Sequence, residues 1–248
     1  MKDRSPSLGG LEAETRWIAR LGVLSALIYL CAQTYQYVLF WVCPSGAGSM
    51  TDAIDSRISG HDRIRCIGIL VSFLLLPNYY LAVGAYLAKR RPAAAALGAL
   101  FSLMFIFIEI LHRGLDYFLV SSQWASAAAT SKGAALEGLL ENIRHWDELT
   151  NAIYVPLLGA HLLASLYFLR ASAALEYPWK AVLSAALVIN CVGLAARLAQ
   201  MAVNASWLAS WNWLVYFPST VILYGSFTAW LLTQLRCSGT GFVEERRA

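Results

Sequence analysis

The stretch from Ala93 to Tyr117 reads A-A-A-A-L-G-A-L-F-S-L-M-F-I-F-I-E-I-L-H-R-G-L-D-Y, and its reading decides the fold. Its first two-thirds is unbroken apolar sequence, preceded by Lys89-Arg90-Arg91-Pro92. Such a run spans the hydrocarbon thickness of a bilayer as a helix. Glu109, His112, Arg113 and Asp116 follow in the same run at i, i+3, i+4 and i+7, so a helix puts them on one face. Ionisable groups at that depth are costly and turn toward a bundle interior or a wet cavity. Ala94, Gly98 and Ser102 repeat every fourth residue, a small-residue stripe that permits close helix approach.

Composition agrees with a membrane chain. The 248 residues are 58% hydrophobic and only 14% charged, where a soluble domain carries about 25% charged residues. The mean hydropathy is +0.55. The length suits one bundle, and the net charge of +4 reflects basic residues at span ends. No basic, aromatic-interleaved stripe, GxxxxGK[ST] or GxGxxG is present, so no nucleic-acid or nucleotide partner is expected. The five cysteines form no CxxC pair. No serine lies in a GxSxG elbow.

Six apolar runs predict an all-α bundle of six transmembrane helices, at about 17–41, 66–88, 93–115, 150–169, 181–203 and 211–235. Together they form one domain, 17–235, between polar tails at 1–16 and 236–248. The first run is too long for a signal-peptide core and reads as a retained span. Pro77-Asn78 sits mid-way in the second run, where the proline kinks the helix and Asn78 is expected to bridge the break. His161, mid-way in the fourth, reads as a hydrogen-bond partner between helices.

The two longest connections are 43–65 and 118–148. Ile54 and Ile58 suggest a short amphipathic piece in the first. In the second, S-S-Q-W-A-S-A-A-A-T-S-K-G from Ser121 reads as a mobile segment. Leu136, Leu139, Leu140, Ile143 and Leu149 follow at helical spacing, with Glu137, Glu141, Arg144 and Glu148 on the opposite face. That pattern is an amphipathic helix lying at the interface or capping the bundle. Cys43 and Cys66 flank the first connection at the ends of adjacent spans and are candidates for a disulfide.

Six spans leave both termini on one side. The short connections and tails on that side hold Lys2, Arg4, Arg16, Lys89, Arg90, Arg91, Arg170, Lys180 and Arg236, so the positive-inside bias predicts cytoplasmic termini. The two long connections then face outward. At their level lie Glu109, His112, Arg113 and Asp116 of the third span, and Gln33, Gln36 and Tyr37 of the first. Arg197, Gln200 and Asn204 of the fifth, Asn151 and Tyr154 of the fourth, and Tyr216 of the sixth join them. An outward-facing polar pocket is the inference, with Glu109, Arg113 and Arg197 supplying charge and His112 and Asp116 completing the lining. Its ligand-binding candidates are Glu109, His112, Arg113, Asp116, Arg197, Gln200, Gln33, Tyr37 and Tyr154.

A purely structural reading stands beside this one. Glu109–Arg113 and His112–Asp116 are both i,i+4 pairs that can satisfy each other, and Arg197 can lock the third and fifth spans through Glu109 or Asp116. Two further functional readings share the same residues. One is an intramembrane enzyme on a lipid or isoprenoid-like substrate, with Glu109 or Asp116 as acid or base and His112 assisting. The other is a proton-coupled transporter using Glu109, which the absence of an internal repeat argues against. Glu109-x-x-His112 is half of a di-iron motif; bundles of that kind carry two. Completing a site would take Asp116, His145 or His161, so no metal or other cofactor is predicted. The expected partners are membrane lipids and a small amphiphilic ligand.

R-W-I-A-R-L-G-V-L opening the first span, D-R-I-R-C-I-G-I-L leading into the second and Y-P-W-K-A-V-L before the fifth carry a resemblance over most of the chain. The layout resembles a family of uncharacterised six-span bacterial membrane proteins. That resemblance implies a multi-pass protein of the bacterial inner membrane and assigns no functional residue.

Overall fold

The computed structural model describes residues 8–42, 50–203 and 206–244. The chain is an all-α polytopic bundle, and among the described residues six helical segments are long and apolar enough to cross a membrane. The helices are α1 Leu8–Val42, α2 Met50–Ile58, α3 Gly60–Leu75, α4 Pro77–Ala88 and α5 Pro92–Leu115. A π-helix, Asp116–Ala125, continues α5 and ends in a last turn, α6 Ser126–Ala128. Then come α7 Ala134–Ser172, α8 Trp179–Val203 and α9 Ser206–Glu244. The Cys43–Cys66 pairing lies outside the described residues.

Helices α3 and α4 are one span broken at Pro77. Proline has no N–H to give the preceding turn. Asn78 Nδ2 donates to the Leu75 carbonyl at 3.0 Å, so the asparagine bridges the break as its position suggested. The span starts earlier than its apolar run. Ser59 caps α3 by accepting from the Asp62 N–H at 3.1 Å, and this Ser-x-x-Asp signature adds more than a turn before Cys66.

Each span packs on the next: α1 on α4, α4 on α5, α5 on α7, α7 on α8 and α8 on α9, and α9 returns to α1. Short connections force antiparallel neighbours, and the last contact closes a ring around a common interior. At the end of the ring nearer the termini, aromatic rings fill that interior. Tyr29, Tyr79, Tyr80 and Tyr224 pack together, and the Tyr80 and Tyr224 hydroxyls share a hydrogen bond of 2.6 Å. Phe168 stacks on Tyr80 and contacts Phe227. Gly98 admits that phenylalanine: a Cβ there would lie 2.8 Å from the Phe168 ring. Gly22 does the same between α1 and α4, where a Cβ would meet the Asn78 carbonyl at 3.0 Å and the Ala82 Cβ at 2.9 Å.

Two of the six candidate spans run far beyond a bilayer. Pro92–Ala128 has 37 residues and Ala134–Ser172 has 39, and at ~1.5 Å per residue each exceeds ~50 Å against a hydrocarbon core of ~30 Å. Exposed apolar residues show where the lipid lies. On α5 and its extension, Leu97, Leu100, Met104, Phe107, Leu111, Leu115 and Phe118 are all exposed along one stripe, about 30 Å long at helical rise. Glu109 and Arg113 fall within that length and Asp116 near its end. Beyond it, the two long helices form a cap with α2.

The cap departs from the expectation of a mobile segment. Residues 121–128 are helical, and the amphipathic helix is the first third of α7 rather than a separate piece. Ile54, Val120, Ala125, Ala128, Ile143 and Trp146 form its small core, with Leu136, Leu139 and Leu140 packed on the edge. Leu149 faces outward instead. Gly133, with φ of +59°, turns the chain between the two long helices, a conformation that penalises any side chain. Wide π-helical winding lets the Ser122 and Ser126 hydroxyls donate to carbonyls five residues back, at 2.8 and 3.1 Å.

Gly22→Ala and Gly98→Ala are each expected to lower stability by about 1–3 kcal/mol, the usual cost of overpacking a filled interface. Thermal unfolding in detergent checks this. An unchanged midpoint in both variants would show that the two approaches are not tight.

Candidate functional site

Above the aromatic plug the ring interior opens into a cavity of ≈ 320 Å³. Residues from α1, α3, α5, α7, α8 and α9 line it. Its apolar lining includes Phe105, Leu157, Leu158, Leu194 and Val215. Arg65, Glu109, Arg113 and Arg197 all line the cavity.

Arg113 reaches back one turn along α5, and its Nε donates to Glu109 Oε2 at 3.1 Å. Its Nη2 lies 3.5 Å from the Tyr154 hydroxyl. Glu109 is buried, so this pair removes an uncompensated charge from a medium that solvates charge poorly. Arg65 is neutralised from its own helix. Its Nε donates to Asp62 Oδ1 at 2.8 Å, its Nη1 lies 3.4 Å from Gln36 Oε1, and its guanidinium lies over Phe40.

Arg197 is bound differently. Its guanidinium lies over the Tyr216 ring at 4.9 Å and the Tyr154 ring at 6.0 Å. Among the described residues no carboxylate comes within ion-pair distance of it. The expected lock to Glu109 or Asp116 is therefore not formed, because both carboxylates are engaged elsewhere. The Tyr216 hydroxyl turns away from the arginine to donate to Gln33 Oε1 at 3.4 Å.

The four ionisable residues of the third span divide between two places. Glu109 and Arg113 line the cavity, while His112 and Asp116 do not. Asp116 accepts from Arg57 Nη1 and from Trp146 Nε1, both at 3.1 Å, in the cap. Arg57 Nη2 also donates to Asp147 at 2.9 Å. His112 is buried between Glu109 and the cap, with its ring stacked on Trp146 at 5.8 Å and its Nε2 3.4 Å from the Thr150 hydroxyl. The His112–Asp116 pair is thus absent: Arg57, a cation from another helix, takes the carboxylate. Gln200 and Tyr154 line the cavity. Gln33 supports Tyr216 from behind, and Tyr37 stacks on Phe217 at 4.3 Å.

Several lining residues carried too weak a signal in the chain to be named. Arg65 counted as a loop cation because the apolar run starts at Cys66; the Ser59-x-x-Asp62 cap was the cue that it belongs to a span. His161 meets another helix through its ring face and not through the expected hydrogen bond. Its ring stacks on Phe105 at 4.4 Å, and its buried Nε2 has no hydrogen-bond partner among the described residues. Asn190 holds α8 to α7 by donating to the Ser165 hydroxyl at 2.9 Å. Among the described residues no three His, Cys, Asp or Glu side chains gather to hold a metal. Comparison with known proteins finds no matching family, curated protein or solved structure.

The two carboxylates that Arg57 holds differ in exposure. The Asp116 side chain is 14% exposed and that of Asp147 is 59%. Screening leaves an exposed pair little worth. Asp116→Asn is therefore expected to cost about 1–3 kcal/mol and Asp147→Asn less than about 1 kcal/mol. Denaturation midpoints of the two variants decide it, and equal losses would contradict the ranking.

Proposed function

We propose that this is a bacterial inner-membrane protein with cytoplasmic termini. It binds a small or amphiphilic ligand in an outward-facing pocket and serves as a sensor, carrier or accessory subunit. The observation that carries this reading is the cavity. Its volume of ≈ 320 Å³ falls in the usual range for ligand sites, and its wall mixes apolar residues with polar and charged ones. A cavity kept only by loose packing has no reason to gather three arginines from three helices. The excess of basic residues in the short connections and tails on the terminus side supports the orientation, and the resemblance to bacterial six-span proteins supports the membrane.

Binding is favoured over acid–base catalysis by the state of the carboxylates. A general acid or base must exchange its proton with a substrate. Glu109 is held by Arg113, and Asp116 is held by Arg57 outside the cavity.

Gly193 offers a direct test. It lines the cavity, and a Cβ there would meet nothing nearer than 4.0 Å. Gly193→Leu should fill part of the space, leave the fold intact and keep or raise the thermal midpoint. Saturable binding of the neutral amphiphile 1-octanol, followed by saturation-transfer NMR in nanodiscs, is expected for the unaltered protein. It should be lost in Gly193→Leu. Equal signals from both proteins would refute the pocket.

A further inference from the structure

Among the described residues, charge around the cavity does not sum to zero. Arg65 is offset by Asp62 and Arg113 by Glu109. Arg197 is left over, and its contacts are the faces of Tyr216 and Tyr154. A ring face attracts a cation but supplies no full negative charge. An arginine at membrane depth without a counter-charge is costly. Its side chain is part-buried, and the edge of its guanidinium is not used by any acid of the described chain.

We propose that a singly charged anionic amphiphile supplies the missing charge, with its head on Arg197 and its tail against Phe105, Leu157 and Leu194. The inference rests on the pocket reading above and adds the ligand's charge, shape and size. The count of one uncompensated arginine fits a monoanion such as a carboxylate. The planar guanidinium donates two parallel hydrogen bonds to a carboxylate. A cavity of ≈ 320 Å³ lies at the lower end of the usual range for ligand sites, which suits a short-tailed amphiphile such as a medium-chain carboxylate.

The test uses the full chain in a neutral detergent and four probes: octanoate, octyltrimethylammonium, 1-octanol and acetate. Octanoate is expected to bind about tenfold or more tighter than 1-octanol, the usual gain from a hydrogen bond to a charged group. Octyltrimethylammonium should bind more weakly than 1-octanol, and acetate should not displace octanoate at equal concentration. Arg197→Gln should abolish the preference for octanoate over 1-octanol, while Arg197→Lys should keep part of it. Octanoate no tighter than 1-octanol, or a preference that survives Arg197→Gln, would overturn the anionic assignment. Equal displacement by acetate would overturn the amphiphilic part. If Arg197→Gln does not fold, the probe series on the unaltered protein and on Arg197→Lys still decides. Saturable 1-octanol binding that Gly193→Leu blocks, without a gain for octanoate, leaves the pocket standing and removes this inference. No saturable binding of any octyl probe removes both.

Discussion

An arginine at membrane depth must find its counter-charge inside the protein, and that constraint organises the upper half of this bundle. Lipid solvates no ion, and leaving one partner of a buried pair alone costs several kcal/mol. Three answers to the constraint appear side by side. Arg113 takes Glu109 from its own helix, Arg65 takes Asp62 from its own helix, and Arg57 reaches from the cap to Asp116. The first two lie within a single helix, and only the third joins two elements. Arg197, resting on two tyrosines, is the exception, and the cavity lies beside it.

The ring geometry explains why a cavity exists at all. Six spans packed in sequence, with the last returning to the first, enclose more space than two facing layers would. At the end nearer the termini that space is closed by aromatic side chains, and glycines at Gly22 and Gly98 draw the helices close around them. At the other end the inward residues are long and polar. Glu109 and Arg113 pair along their own helix and Arg197 lies over the Tyr216 and Tyr154 rings, so the centre stays open.

The cap stands beyond the lipid. The α5 span with its extension and α7 run about 20 Å or more past the hydrocarbon, and α2 lies against them through Ile54 and Arg57. A π-helical stretch starts at Asp116, the residue that Arg57 and Trp146 grip. Widened winding at a functional point is a common use of that geometry. Here it re-aims the helix above the lipid so that its apolar residues meet α7 instead of acyl chains.

The sequence by itself determined the membrane class, the six spans, the kink at Pro77 and the inward burial of the third span's charges. These follow from local composition and helical period, which act within a few residues of one another. It also placed Glu109, Arg113 and Arg197 at one depth. Which carboxylate each arginine takes was decided only by the tertiary structure. Partner choice depends on which helix lies alongside and how it is rotated, and a cation outside the apolar runs, Arg57, could claim Asp116 only once the cap had folded against α5. The same holds for the division of the third-span cluster. One helical face holds His112, Asp116, Glu109 and Arg113, but it runs through two environments, a wet interior and a packed cap, and the boundary between them is set by neighbours that no local pattern names.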